Sequence, residues 1–141
     1  MKVGINGMGR IGRLALRTAL GGIHRPESDP RAENRLEVVH INELKGGIAA
    51  TAHLLEFDSI HGRWHAPIEV SAGSAITIGK NRIGFSEAAG PGEVAWGDLG
   101  CDVVLECTGK FLKPDQLQAY FDRGVKRVIV AAPVKDDAAL N

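Results

Sequence analysis

The sequence predicts an α/β chain, a doubly wound and mostly parallel sheet with a small antiparallel excursion. Three observations point to it. A short apolar run at residues 2–6 passes through a glycine-rich turn straight into an apolar helical pattern. Further apolar runs at 36–41, 102–107 and 126–131 alternate with helical spacing at 47–55 and 114–124, and that alternation implies right-handed crossovers in a parallel sheet. Between residues 68 and 85, three short strand patterns are separated by glycine turns and read as hairpins.

In chain order, the first strand runs into Gly7-Met8-Gly9-Arg10-Ile11-Gly12, which is G-x-G-x-x-G. The order strand, glycine turn, helix makes this a Rossmann-like, dinucleotide-binding pattern, against the alternative of a glycine turn without a ligand. Gly7 permits the tight turn, Gly9 lets the backbone approach a pyrophosphate, and Gly12 lets the helix pack closely. The first helical N–H groups, near Arg10 and Ile11, are expected to face the phosphates with the helix dipole behind them. The helix is expected from about Arg10 to about Leu20, with Ile11, Leu14, Ala15, Ala19 and Leu20 as its apolar positions and Gly21-Gly22 as its stop.

Residues 23–35 carry two prolines among polar residues and read as a surface insertion loop. Leu36–Ile41 is the second strand, followed by Asn42-Glu43. An acid here bonds the adenine-ribose hydroxyls in a Rossmann unit, and a carboxylate repels a 2′-phosphate, so Glu43 favours NAD over NADP. The bland reading of Glu43, a cap for the next helix, stays open. Gly47–Leu55 is the second helix and 57–63 a turn-rich connector. Strands at Ile68–Ser71, Ala75–Ile78 and Arg82–Phe85 are split by turns at 72–74 and 79–81, and Trp96 anchors the glycine- and proline-bearing stretch 87–100. Asp102–Cys107 is an inner strand. Thr108-Gly109 after it presents backbone and hydroxyl groups to a ligand or is a plain turn. Pro114 opens a helix with Lys113 or a neighbour as cap, ending near Gly124, and Lys126–Ala131 is the last strand, stopped by Pro133.

Composition narrows the function. The chain has 141 residues, enough for one domain, with 44% apolar and 24% charged residues. A formal net charge of zero gives no electrostatic case for nucleic acid or an anionic membrane as partner. No apolar run reaches membrane-spanning length, and the amino terminus lacks a signal-peptide pattern, so a cytoplasmic protein is expected. The two cysteines, Cys101 and Cys107, match neither zinc nor redox spacing and are expected as reduced, structural thiols. His61 and His65 are four apart, but Gly62 between them argues against a helical metal face, and no metal is expected.

Several motifs together carry a resemblance. Ile5–Arg13, Ile41-Asn-Glu43, Leu55–Arg63, Trp96-Gly-Asp98, Glu106-Cys-Thr-Gly109 and Ala132–Asp136 resemble, in order, the amino-terminal NAD-binding part of the phosphorylating glyceraldehyde-3-phosphate dehydrogenase family. The resemblance implies NAD as cofactor and a dinucleotide-binding domain over 1–141. It implies backbone contacts to the pyrophosphate at Arg10 and Ile11 beside Asn6, Gly7, Gly9 and Gly12. It places a ribose-binding acid at Glu43 after Asn42, loop contacts at Thr108 and Gly109, and a nicotinamide-side contact at Ala131. Three positions depart from the family. Glu43 stands where Asp is usual, Ala88 and Ala89 where a basic residue is expected, and Ala131 where Ser or Thr is common.

The family's nucleophilic Cys and base His lie beyond the position matching Asn141, so no catalytic residue is expected here, and the chain is expected to be an inactive cofactor-binding fragment. In the complete enzyme a thiolate attacks the aldehyde, hydride passes to NAD, and phosphate cleaves the resulting thioester. A phosphorylated aldehyde is the implied small-molecule partner, met through the missing domain, and a homo-oligomer the implied assembly. Alternatives are an erythrose-4-phosphate dehydrogenase, whose branch shares Asn-Glu-Leu at 42–44, an arsenate-using relative, and a non-catalytic nucleotide-binding module.

Overall fold

The computed structural model describes residues 1–21, 36–71, 73–134 and 139. The expected loop over 23–35, Gly22 of the first helix stop and Ala72 of the first hairpin turn lie outside the described residues.

Nine strands and three α-helices alternate as β1 (Lys2–Asn6), α1 (Arg10–Ala19), β2 (Glu37–Asn42), α2 (Gly47–Glu56), β3 (Phe57–Asp58), β4 (Gly62–Arg63), β5 (Ile68–Ser71), β6 (Ala75–Ile78), β7 (Asn81–Ser86), β8 (Val103–Glu106), α3 (Pro114–Asp122) and β9 (Arg127–Val130) among the described residues. Seven strands form one sheet in the order β5-β6-β7-β2-β1-β8-β9. From β7 to β9 every pairing is parallel, while β5, β6 and β7 pair antiparallel, which is the expected excursion. The chain builds outward from β1 through β2 to β7, then crosses back to place β8 on the other side of β1. That reversal is the topological switch point of a doubly wound sheet.

Each face of the sheet has its own core. On one face Ile5, Leu16, Ile41, Leu55, Ile76, Ile83 and Phe85 are buried beneath α1 and α2. On the other, Trp96, Cys101, Val104, Tyr120 and Val125 pack together beside α3. Trp96 is the anchor the sequence suggests. It is fully buried, its Nε1–H donates to the Pro91 carbonyl at 3.0 Å, and its ring lies so close to β1 that a Cβ on Gly4 would meet it at 2.8 Å.

Two local expectations are corrected and a third is refined. Ile11 is 53% exposed, because the stripe that meets the sheet runs through Gly12, Leu16 and Arg17. The connector at 57–63 is a miniature hairpin, closed by the Asp58 carboxylate accepting the N–H groups of Ile60 at 2.9 Å and His61 at 2.8 Å. Those two bonds hold the Asp58 carboxyl well below its usual range. At α3 Lys113 is the N-cap, as expected, but its side chain makes no capping bond. Gln116 reaches back instead, its Oε1 accepting the N–H groups of Leu112 and Lys113 at 3.2 Å.

Candidate dinucleotide site

The carboxyl ends of β1, β2, β7 and β8 open into one cleft. Asn6, Gly7 and Gly9 line it after β1, Asn42, Glu43, Leu44 and Lys45 after β2, Ala88 and Ala89 after β7, and Thr108, Lys110 and Phe111 after β8. This is where a doubly wound sheet places a ligand.

The glycine turn is shaped by contacts a side chain would block. Gly7 has φ +92°, and a Cβ there would lie 2.7 Å from the Thr108 nitrogen. A Cβ on Gly12 would sit 2.0 Å from the Gly7 carbonyl oxygen, so the first turn of α1 rests directly on the glycine turn. Gly9 differs from both. Its φ is −63°, open to any residue, and nothing lies within 4 Å of a Cβ built there. Neither backbone nor neighbours require glycine at position 9, and the space that its missing side chain leaves clear belongs to the cleft. Gly9 caps α1 without a side-chain bond, and no acid stands in the first turn. The N–H groups of Arg10, Ile11 and Gly12 lack intrahelical acceptors at this end, which suits an anion.

Glu43 bridges the turn and β2. Its Oε2 accepts the Met8 N–H at 2.6 Å and its Oε1 the Lys45 N–H at 2.9 Å. It does not cap α2, whose first residue follows Gly46 in the left-handed region. Asn42 clamps the far wall: Oδ1 accepts the Ala88 N–H at 2.8 Å and Nδ2 donates to the Ala88 carbonyl at 3.0 Å.

Beneath the cleft a polar network threads the strand ends. The His40 Nε2–H donates to Ser86 Oγ at 2.9 Å, and Ser86 donates to Asn42 Oδ1 at 2.8 Å. Asn42 Nδ2 donates to Asn6 Oδ1 at 2.8 Å, and Asn6 Nδ2 donates to Glu106 Oε2 at 3.0 Å and to the Tyr120 hydroxyl at 2.6 Å. Tyr120 in turn donates to Glu106. Burial pushes the His40 imidazole down to about 4, and burial with the adjacent Glu106 carboxylate pushes the Tyr120 phenol well above its usual range.

Of the residues singled out in the sequence, Asn6, Gly7, Gly9, Asn42, Glu43 and Thr108 meet around the cleft. Arg10 and Ile11 stand exposed at the head of α1, and Gly12 is buried behind the turn. Gly109, φ +70°, continues the Thr108 turn. Ala131 is not among the lining residues; it lies at the end of β9, its N–H donating to the Glu106 carbonyl at 2.9 Å. Leu44, Lys45, Ala88, Ala89, Lys110 and Phe111 join the wall without having been singled out as binding residues. Their common signal is position, each within a few residues of the end of a parallel strand. Neither cysteine is among the lining residues, and burial pushes both thiols up to about 11, so neither is poised as a thiolate.

A glycine turn at the switch point, an uncapped helix amino end and an acid after β2 define a dinucleotide-binding domain. The chain belongs to the glyceraldehyde 3-phosphate dehydrogenase family, whose NAD binding domain matches residues 1–114, and NAD is the cofactor. It is 53% identical over 138 residues to glyceraldehyde-3-phosphate dehydrogenase 3 of Nostoc sp., covering 98% of this chain and 37% of that protein. It is 44% identical over 136 residues to the enzyme so named in Clostridium acetobutylicum, covering 96% of this chain and 37% of the relative. With that of Geobacillus stearothermophilus the identity is 39% over 137 residues, covering 97% and 37%. The chain thus spans little more than a third of the length of these relatives. No helix among the described residues is long and apolar enough to cross a membrane.

Proposed function

We propose that this chain holds NAD in the cleft between β1, β2, β7 and β8 for the phosphorylating oxidation of glyceraldehyde 3-phosphate, within a cytoplasmic, homo-oligomeric enzyme of glycolysis. Gly9 carries the placement: a glycine that neither backbone nor packing needs keeps clear the one space a pyrophosphate requires. The orphan N–H groups at the head of α1 hold the phosphates, with Lys45 and Lys110 adding positive charge to the walls. Glu43, already fixed by two backbone donors, keeps free lone pairs for ribose hydroxyls and repels a 2′-phosphate. When bound, NAD supplies the hydride acceptor. The chain's part is to fix its orientation, and the aldehyde, the nucleophile and the phosphate are met outside these residues.

Calorimetric titration of Gly9→Ala and wild type with NAD tests the placement. The expected result is an unchanged melting temperature with an NAD Kd raised about tenfold, since a methyl in the cleft displaces a phosphate without touching the protein. Unchanged affinity would move the cofactor elsewhere. For the reaction, turnover of glyceraldehyde 3-phosphate with NAD and phosphate in the whole enzyme is expected. Its absence there would leave NAD binding as the only activity.

A further inference from the structure

Glu106 ends β8 directly under the cleft and is 1% exposed. Among the described residues no cation pairs with its carboxylate. Four donors take that place: Asn6 Nδ2 at 3.0 Å, the Thr108 N–H at 2.6 Å, and the hydroxyls of Thr108 and Tyr120. Asn6 and Thr108 come from the two sides of the cleft floor. Asn6 immediately precedes the glycine turn on β1, and Thr108 opens the turn that faces it after β8. The two turns are already in contact, because a Cβ on Gly7 would lie 2.7 Å from the Thr108 nitrogen. The Thr108 hydroxyl also accepts the Lys110 N–H at 3.1 Å, so its orientation governs the next residues of the wall.

We infer that Glu106 is a positioning residue for the cofactor: by holding Asn6 and Thr108 together, its carboxylate sets the gap between the glycine turn and the Thr108–Phe111 wall. The inference rests on the placement of NAD in this cleft. It requires the charged group and not only its shape. A carboxylate presents two acceptor oxygens to four donors, whereas an amide of the same size turns an N–H₂ toward donors and leaves at least two unpaired. Tyr120 gives the test a handle away from the ligand. It is fully buried on α3, does not line the cleft, and its hydroxyl bonds Glu106 and Asn6.

The experiment compares the Kd of NAD with that of AMP for wild type, Glu106→Gln and Tyr120→Phe. AMP occupies the Glu43 side alone, and NAD spans both sides. Glu106→Gln is expected to weaken NAD about tenfold more than AMP, and Tyr120→Phe about threefold more. The Thr108 amide proton, bonded to a charged oxygen, is expected far downfield in the wild type and shifted upfield in Glu106→Gln. If Glu106→Gln does not fold, Tyr120→Phe carries the comparison. A lowered melting temperature with the wild-type ratio of NAD to AMP affinity in a folded variant would overturn the inference and leave Glu106 purely structural. Wild-type protein that binds AMP but not NAD, or neither, would overturn the placement of the cofactor and the inference with it.

Discussion

His40 shows what one residue contributes below the site. Its Nε2–H is used by Ser86, and its Nδ1 is buried without a hydrogen-bond partner, close against Gly84. Protonation would place a second N–H in that gap with no acceptor, so the folded protein holds the neutral ring, with a pKa of about 4 against 6.5 for the free side chain. The unfolded chain therefore binds a proton that the folded chain does not between these two values. The contribution of His40 to stability is complete above pH 6.5, falls as pH drops toward 4, and changes no further below that. Between pH 7 and 5 the loss is about 2 kcal/mol. Urea denaturation at both pH values reads it, and His40→Gln is expected to remove most of that difference. An equal pH dependence in the variant would assign the loss elsewhere. A histidine within an apolar strand gives no sign of this in the sequence, where His40 reads as one more strand residue. Glu106 is hidden for the same reason. An acid closing an apolar run reads as a solvated strand end, and its donors Asn6 and Tyr120 lie 100 and 14 residues away. The glycines were legible because their constraint is local: turn, clearance and helix start fall within six consecutive residues, Gly7 to Gly12.

At the scale of elements, periodicity located the strands and helices of the main sheet to within a residue or two, since each buries a repeating face. It missed the β3–β4 hairpin, where two residues per strand carry no period. It also misassigned the buried stripe of α1, because a charged residue occupies it. Arg17 is 2% exposed, its Nη2 donates to the Gly62 carbonyl at 3.2 Å, and its guanidinium lies over the Trp64 ring at 5.7 Å. Its Nε and Nη1 are buried with no hydrogen-bond partner. The stem and the ring contact bind the hairpin region to α1, while the unpaired N–H groups oppose burial. Arg17→Ala removes both and is expected to lose about 3 kcal/mol. Arg17→Met keeps an apolar stem and removes the orphan donors, and is expected to fall within about 1 kcal/mol of wild type. Equal losses in the two variants, measured by urea denaturation, would mean that the guanidinium itself stabilises the hairpin.

At the scale of the whole molecule, the sheet is covered unevenly. Helices α1 and α2 shield β1, β2 and the antiparallel strands on one face, and α3 shields β8 on the other. Strand β9 pairs only with β8, and its second edge carries no strand, among the described residues. Ile129 on that strand is 55% exposed and Phe121 on α3 is 44% exposed, and both line an apolar groove with Leu117, Val128 and Val134. An unpaired strand edge beside exposed apolar side chains is a template for association. The opposite edge, β5, carries the exposed charge of Glu69 at its centre, which blunts it. The 141-residue chain is therefore expected to self-associate through β9, seen in sedimentation velocity as an average coefficient rising with concentration. Ile129→Lys places a charge in the middle of the strand on an already exposed position, so it should leave the fold and the cleft intact while abolishing the concentration dependence. Undiminished association with normal NAD binding in that variant would place the contact on another surface, with the β5 edge next to be charged.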